Sequence, residues 1–508
     1  MDNLLSFRRS ALVYGICLPL AIVLGYFLAQ PERFSTQAFV ALLLGILSLP
    51  ILIRWHHPLL ILAWNASLII PFLPGQPSWW MCMSFISLAL AVLLRIMTKK
   101  GDFVSAPSVT FWVCFLLVVL IVTAKFTGGF GTRVFGSANF GGKRYLYLVS
   151  AIVGYFALIG GRIQPEHATF IVVGFFLSGI TTAVGDAAFW LGPSYYFVYY
   201  LFPSGIAYHQ IASEETSLER FAGIGFACQS AIVALLARYG FRGILVWSRP
   251  WRLVLLILLV TGSMFGGYRS LLILFLALLA FQFIFEQLFT IRNIAFLTGL
   301  LILFLAFVFA FSTKLPVSVQ RTLSFLPIPV EENVRVDVTG SSEWRWFMWK
   351  TVLPDVPKYI WLGKGFMFSG TDLYLTEEAT RRGYYSSYET AILGGNYHNG
   401  LLSTIIPLGI WGVIGLAGFL TAAVRVLYLN YRNGDPPLRV ANTILISWFC
   451  ARLLMFLTVY GAFDFDFPNF VGIVGLSLSL NGGVRRKESP EVTLNQQEEI
   501  LVLEGARV

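Results

Sequence analysis

Four basic residues lie in polar segments between long apolar runs, and their side chains could bind phosphate or move a proton. They are Arg269, Arg345, Lys364 and His398. A guanidinium group binds phosphate oxygens through a planar fork of N–H donors. An imidazole titrates near neutral pH and suits proton abstraction from a sugar hydroxyl. Two arginines and one histidine at a single site would therefore suit transfer chemistry on a diphosphate-linked substrate.

Each of these residues also has a structural interpretation, and the residues alone leave both open. Arg269 directly precedes an apolar run and could anchor a helix at the membrane surface. Arg345 lies between two tryptophans and could stack on them. Lys364 lies between two glycines, as in an ordinary solvated turn. His398 could be a hydrogen-bonded residue at a helix start, and Asn399 beside it is a candidate supporting residue.

The sequence contains no acidic metal-binding motif, so we expect chemistry without a metal ion or another cofactor. Asp464 and Asp466 lie in the last predicted outer turn, where turn formation is the favoured interpretation and proton acceptance the alternative. Small residues at a three-residue spacing follow His398 and favour close helix packing: Gly409, Gly412, Gly415 and Gly418. Pro407 is expected to kink the same helix.

The composition places these residues in a membrane protein. Hydrophobic residues make up 57% of the 508 residues and charged residues 12%, against roughly 25% charged residues in a soluble globular domain. The apolar residues form long runs, and about 20 apolar residues of helix cross a bilayer. An alternating pattern of period two, as in a membrane β-barrel, is absent. The predicted fold class is an all-α polytopic membrane protein.

The sequence predicts about 14 transmembrane helices and one large extracytoplasmic loop. The spans are centred near residues 20, 45, 66, 88, 115, 153, 178, 230, 258, 278, 303, 415, 449 and 474. Four parts result: an N-terminal helix bundle (1–311), the large periplasmic loop (312–399), C-terminal transmembrane helices (400–483) and a cytoplasmic tail (484–508). Within the loop, Ser341 to Lys350 predicts an amphipathic helix that ends before Pro354.

The net charge of +10 indicates membrane topology, and no nucleic acid is expected as a partner. Basic clusters around Arg8, Lys99, Arg249 and Arg486 all fall on one side if the N-terminus is cytoplasmic. This orientation puts both ends inside and predicts a first span that is a retained anchor. It puts the four basic candidates on the outer face, whereas Lys and Arg are usually enriched on the cytoplasmic side.

Three sequence blocks, in order, resemble the superfamily of O-antigen ligases and O-antigen polymerases. The pair His398-Asn399, nine residues, and then Gly409 and Gly412 resemble its H-N-x9-G-x-x-G signature. The preceding R-x3-W…P-x-G-x-G stretch is matched by Arg345, Trp349, Pro357 and Leu362-Gly363-Lys364-Gly365. The stretch Tyr268-Arg269-Ser270-Leu271-Leu272 resembles the S-R-G block, with Tyr268 and Ser270 where the family tends to have Ser and Gly. The blocks span about residues 255 to 425.

The resemblance implies a multi-pass glycosyltransferase of the bacterial inner membrane, with its active site on the periplasmic or outer face. The donor would be a glycan on undecaprenyl diphosphate, and the acceptor a glycan, lipid or protein hydroxyl. As in that family, Arg269 and Arg345 would neutralise the diphosphate and His398 would activate the acceptor, with Lys364 and Asn399 in support. The reaction would be metal-independent and inverting, and would need no nucleotide cofactor.

Alternatives remain at the level of sequence. Within the resemblance, a polymerase of O-antigen, capsule or exopolysaccharide is slightly favoured over a ligase, because nothing identifies a lipid A-core or protein acceptor. A transporter or flippase of lipid-linked glycans would also suit many spans, although it should show related halves or charges near the middle of the membrane. A non-catalytic assembly subunit is the third alternative.

Overall fold

The computed structural model describes residues 34–71, 73, 75–98, 103–130, 139–204, 220–384 and 388–486, with residues 15, 17–23 and 25 near the N-terminus. The predicted span near residue 20 is thus described only in part. The basic cluster at Arg8 and the tail beyond residue 486 lie outside the described residues. The described chain is predominantly helical, and eight of its helical segments are long and apolar enough to cross a membrane. This confirms an all-α membrane protein.

The first part of the chain forms a bundle of apolar helices. Its members in chain order are α1 (Phe34–Ala63), α2 (Trp79–Thr98), α3 (Pro107–Phe126), α4 (Gly142–Ile159), α5 (Pro165–Leu177), α6 (Thr182–Leu191), α7 (Ala222–Ile244), α8 (Trp251–Met264), α9 (Arg269–Phe285) and α10 (Ile291–Phe311). A 3-10 turn over Ser178–Thr181 joins α5 to α6, and this pair forms one candidate span. Helices α8 and α9 are apolar but shorter than the candidate spans.

The polar segment that follows α10 has secondary structure of its own. It contains α11 (Val317–Leu323), α12 (Glu332–Val352), α13 (Val356–Tyr359), α14 (Gly370–Arg381) and α15 (Tyr388–Leu393). The strand β2 (Phe368–Ser369) pairs antiparallel with β1 (Asn139–Phe140), which directly precedes α4. This pairing fixes the segment to the bundle at the start of α4.

Three helices complete the bundle: α16 (Leu402–Asn433), α17 (Arg439–Thr458) and α18 (Phe463–Asn481). Helix α16 is kinked at Gly409, whose φ of +65° is outside the helical range. A Cβ at Gly409 would lie 2.8 Å from the carbonyl oxygen of Ile360, so glycine is needed for both the backbone angle and the close approach. The kink therefore lies two residues after Pro407, the residue expected to cause it.

Two expectations about helices were wrong. The apolar stretch near residue 66 is not a separate helix but an irregular connection between α1 and α2, because Pro71, Pro77 and the turn at Asn65 interrupt it. The predicted amphipathic helix of the polar segment starts at Glu332 rather than Ser341, and its end at Val352, before Pro354, is as expected. Gly340 and Ser341 do not interrupt α12, which runs continuously from Glu332 to Val352.

The core of the bundle lies between α4, α18 and their neighbours. Helix α4 packs against α2 and α18, α16 against α3, and α9 against α17. The glycine spacing in α16 serves the α3 contact, because a Cβ at Gly418 would lie 2.3 Å from the ring of Trp112. A Cβ at Gly415 would likewise lie 2.7 Å from Leu116. The packing interpretation of these glycines is confirmed.

Candidate functional site

His398 lies in the short connection between α15 and α16, and its backbone is held on both sides. The carbonyl oxygen of the preceding Tyr397 accepts a 2.8 Å hydrogen bond from Trp349 Nε1 of α12. Asn399 follows and accepts a 3.1 Å hydrogen bond from the Leu402 amide, which caps α16. His398 itself has a φ of +49°. A non-glycine residue in this left-handed region is held there against its own preference, which is common at functional sites.

The imidazole of His398 lies between two aromatic rings. Its centroid is 5.2 Å from that of Trp344 and 4.9 Å from that of Tyr460, both edge-on. Its Nδ1 is buried and has no hydrogen-bond partner within the described residues. Burial, together with the nearby charge of Arg345, lowers the pKa of His398 to about 4. The neutral imidazole is thus the stable form at neutral pH, with a ring nitrogen free to accept a proton.

Helix α12 brings Arg345 to this histidine. Trp344, Met348 and Val352 lie one turn apart, and they pack with Tyr397 and Leu402 in a small core between α12 and the start of α16. Because Arg345 and Trp349 are also one turn apart, the helix that binds the Tyr397 carbonyl through Trp349 also places Arg345 near His398. The R-x3-W spacing therefore lets one face of α12 both bind the Tyr397 carbonyl oxygen and place a guanidinium group near His398.

Arg269 begins α9 and lies against the same helix. Its Nη2 is 3.5 Å from Ser342 Oγ of α12. Burial lowers the pKa of Arg345, and so does the positive charge of Arg269, while Tyr460 opposes this. Within the described part of the chain, neither arginine forms an ion pair with a carboxylate. The two guanidinium groups and the imidazole predicted from sequence thus lie near one another, and Asp337 partly offsets the charge of Arg269.

A second cationic group lies next to Arg269. Asp337 of α12 binds Arg321 of α11, whose Nε lies 2.5 Å from Asp337 Oδ2, and Arg220, whose Nη2 lies 3.3 Å from Oδ1. Burial lowers the pKa of Arg321 to about 10, with repulsion from Arg220 and Arg269 in the same direction and Asp337 opposing. The charges of Arg321 and Arg269 therefore act on each other.

Lys364 approaches α16 through its backbone. Its amide donates a 2.7 Å hydrogen bond to the Ile406 carbonyl. The flanking Gly363 and Gly365 have φ values of +81° and +75°, and a Cβ at Gly363 would lie 2.2 Å from the carbonyl oxygen of Pro407. This segment is thus a tight turn against the kink of α16. Among the described residues the Lys364 ammonium forms no ion pair, and the turn interpretation accounts for its position.

The remaining polar candidates have structural roles. Asn399 caps α16 and so fixes the residue before it. Asp464 forms an ion pair with Arg144 at 3.1 Å. Asp466 binds Arg452 at 2.9 Å and accepts a hydrogen bond from the Ala462 amide. The described residues contain no group of three or more His, Cys, Asp or Glu side chains that could hold a metal ion.

Sequence reasoning missed several residues of this region. Tyr460, in the turn between α17 and α18, carried no signal, because a single aromatic residue in an outer turn is common. Arg220 and Arg321 could have been found by the same criterion as Arg269, because both are basic residues in segments predicted to lie on the outer face. Asp337 becomes informative only through its two partners.

The chain matches no family model and no curated protein in comparisons with known proteins. The resemblance of its three blocks to the O-antigen ligase and polymerase superfamily therefore stays a prediction.

Proposed function

We propose that this chain is a membrane glycosyltransferase that transfers a glycan from undecaprenyl diphosphate to an acceptor hydroxyl. The observation that carries the proposal is the buried Nδ1 of His398, which has no partner among the described residues and lies near Arg345, itself close to Arg269. A neutral base next to two cations suits a reaction that removes a proton from a nucleophile and creates negative charge on a phosphate leaving group.

In the proposed step, His398 accepts the proton of the acceptor hydroxyl as its oxygen attacks the anomeric carbon. The bond from that carbon to the diphosphate oxygen breaks, and its electron pair remains on the diphosphate. Attack opposite the leaving group inverts the anomeric configuration. Arg269 and Arg345, both partly buried, stabilise the growing negative charge.

The low pKa of His398 fits this role once the donor is bound. In the free protein, burial and Arg345 keep the imidazole neutral, so the base form is available. A bound diphosphate would offset the charge of Arg345, which would raise the affinity of the imidazole for a proton at the moment of attack. Arg345 would thus tune the proton affinity of the base, and with Arg269 it would stabilise the leaving group.

The proposed setting is the outer face of a bacterial inner membrane. Eight candidate spans support a multi-pass protein, and the lipid-linked donor is consistent with a site at the ends of α9 and α16. Among acceptors we favour a growing glycan in O-antigen, capsule or exopolysaccharide assembly, because the sequence identifies no lipid A-core or protein acceptor. Chemistry without a metal ion or cofactor is part of the proposal.

The decisive experiment compares His398→Ala with His167→Ala. His167 is an exposed histidine near the start of α5, so it controls for loss of an imidazole as such. We expect H398A to lower glycan transfer about 100- to 10,000-fold, the range of a general base, with normal protein level and membrane insertion. H167A should transfer as the wild type does.

The location of the unused donor separates the alternatives. If H398A blocks transfer, the glycan on undecaprenyl diphosphate should accumulate on the outer face. Accumulation on the inner face would instead indicate a flippase. Unchanged transfer by H398A would exclude His398 as the base and contradict the proposed mechanism.

A further inference from the structure

Arg321 is the most buried guanidinium group near the proposed diphosphate site. Only 8% of its side chain is exposed. It belongs to α11, which is fixed to the end of α8 by a 2.8 Å hydrogen bond from Thr322 Oγ1 to the Met264 carbonyl oxygen. The same turn leads into Arg269 through Gly267, where a Cβ would lie 3.5 Å from Arg220 Cγ. Arg321 on α11 and Arg269 at the start of α9 thus belong to one packed region.

The ion pair with Asp337 does not account for the whole Arg321 side chain. The carboxylate contacts Nε, whereas Nη1 is buried and has no hydrogen-bond partner among the described residues. An unpaired buried donor on a charged group is costly. Nη1 of Arg321 is therefore available to a ligand.

Charge balance in this region indicates that an anion belongs there. Arg220, Arg269 and Arg321 lie around a single carboxylate, Asp337, in the described structure, and Arg345 lies close to Arg269. Asp464 and Asp466, the other acids near the site, are already paired with Arg144 and Arg452. Buried like charges repel, so the arrangement is stabilised by a ligand that carries several negative charges.

We propose that Arg321 is a further diphosphate-binding group beside Arg269, and this inference rests on the proposed function. Its free Nη1 would donate to a phosphate oxygen while Nε keeps the carboxylate. Transfer of the glycan leaves the undecaprenyl diphosphate with one more ionisable oxygen than the donor had. A third guanidinium therefore favours the state in which the bond to the sugar is broken over the intact donor.

The test measures binding of inorganic pyrophosphate and of undecaprenyl diphosphate to the purified full-length protein in detergent by calorimetry. We expect Arg321→Gln to weaken both ligands at least tenfold, or ~1.4 kcal/mol. The matched variant Asp337→Asn breaks the same ion pair but keeps the guanidinium. It should bind both ligands at least as tightly as the wild type does. Arg335→Gln on α12 removes an exposed arginine paired with Glu332 and should change neither affinity.

The two substitutions separate ligand binding from a structural role. If Arg321 only fixes α11 to α12, R321Q and D337N should weaken pyrophosphate equally, and that result would overturn the inference. Wild-type affinity in R321Q would overturn it as well. Should R321Q fail to fold, Arg321→Lys keeps the positive charge without the fork. It should weaken binding several-fold, and unchanged binding would again overturn the inference.

The proposed function can fail separately. His398→Ala should bind pyrophosphate as the wild type does but transfer no glycan. If wild-type protein transfers glycan and R321Q binds both ligands normally, only the role of Arg321 is lost. If wild-type protein binds pyrophosphate but H398A still transfers glycan, the proposed base is lost and the anion site remains. If wild-type protein binds pyrophosphate but not undecaprenyl diphosphate, the site takes a free anion and the lipid-linked donor is excluded.

Discussion

Two regions of this protein combine histidines with arginines, at opposite ends of α4 and α18, and they differ in how the imidazoles are bonded. At the far end, His57 Nε2 lies 2.9 Å from the Leu158 carbonyl oxygen and His56 Nδ1 lies 2.9 Å from Ser87 Oγ. At the site end, His398 Nδ1 is buried without a partner in the described structure. The far-end imidazoles join α1 to α2 and α4, whereas His398 Nδ1 stays available within the described structure.

The far end has a cavity of about 870 Å³. It is lined by His56, His57, His167, Arg95 and Arg162 among mostly apolar side chains. His56 and His57 are bonded there, and His167 is exposed. We base the candidate site on a buried side-chain atom without a partner in the described structure rather than on concavity.

Among substitutions that compare the two ends, the largest expected effect comes from removing a guanidinium at the site end. Arg345→Gln and Arg269→Gln should each lower kcat for glycan transfer about 100- to 1000-fold, because each removes a fixed donor at the growing charge. Arg162→Gln at the far end should leave kcat unchanged. The measurement is in vitro transfer from a purified lipid-linked donor, and a comparable loss in R162Q would remove the distinction between the two ends.

A substitution at the far end should affect stability instead. His57→Ala leaves the Leu158 carbonyl without this partner, which costs about 1–3 kcal/mol. We expect a lower thermal unfolding midpoint in detergent with normal transfer per folded molecule. His398→Ala should show the reverse, a midpoint near that of the wild type with no transfer. Equal midpoints for H57A and the wild type would contradict a structural role for His57.

The pH dependence of kcat/KM should report the environment of His398. Since the pKa is lowered to about 4, the imidazole stays unprotonated as pH falls through 6.5, and activity should decline only as pH approaches 4. Arg345→Gln removes a repelling charge, so the pKa rises and the decline should begin at higher pH in the remaining activity. A decline centred near 6.5 in the wild type would show that the imidazole is solvated.

The smallest effect is expected at the residue that positions the histidine. Trp349→Phe keeps the ring in the small core but removes the hydrogen bond to the Tyr397 carbonyl. The loss of one such bond costs about 0.5–1.5 kcal/mol, so kcat should fall only several-fold while KM for the donor is nearly unchanged. Trp346→Phe on the exposed side of α12 is the control. A loss as large as that of R345Q would mean that Trp349 contacts substrate.

The candidate site was partly predictable because local spacing and charge carry its signal. Arg269 and Arg345 are cations on the predicted outer face, where basic residues are less expected. Arg345 and Trp349 are one helical turn apart. Asn399 was predicted as a supporting residue, and its role as a helix cap is local too. Lys364 was placed in the site by its glycine-rich motif, yet its backbone pairing with Ile406 depends on a long-range turn that sequence does not reveal.

Sequence by itself determined the membrane class, because burial of long apolar runs depends on composition and helix length alone. It also determined which residue types could act, since charge and proton affinity belong to the side chains. Only the tertiary structure decided that Arg321 and Asp337 lie beside Arg269, and that Nδ1 of His398 has no partner among the described residues while His57 is bonded. Partners far apart in the chain meet through helix packing, and whether a buried polar atom is bonded depends on that packing rather than on its own residue type.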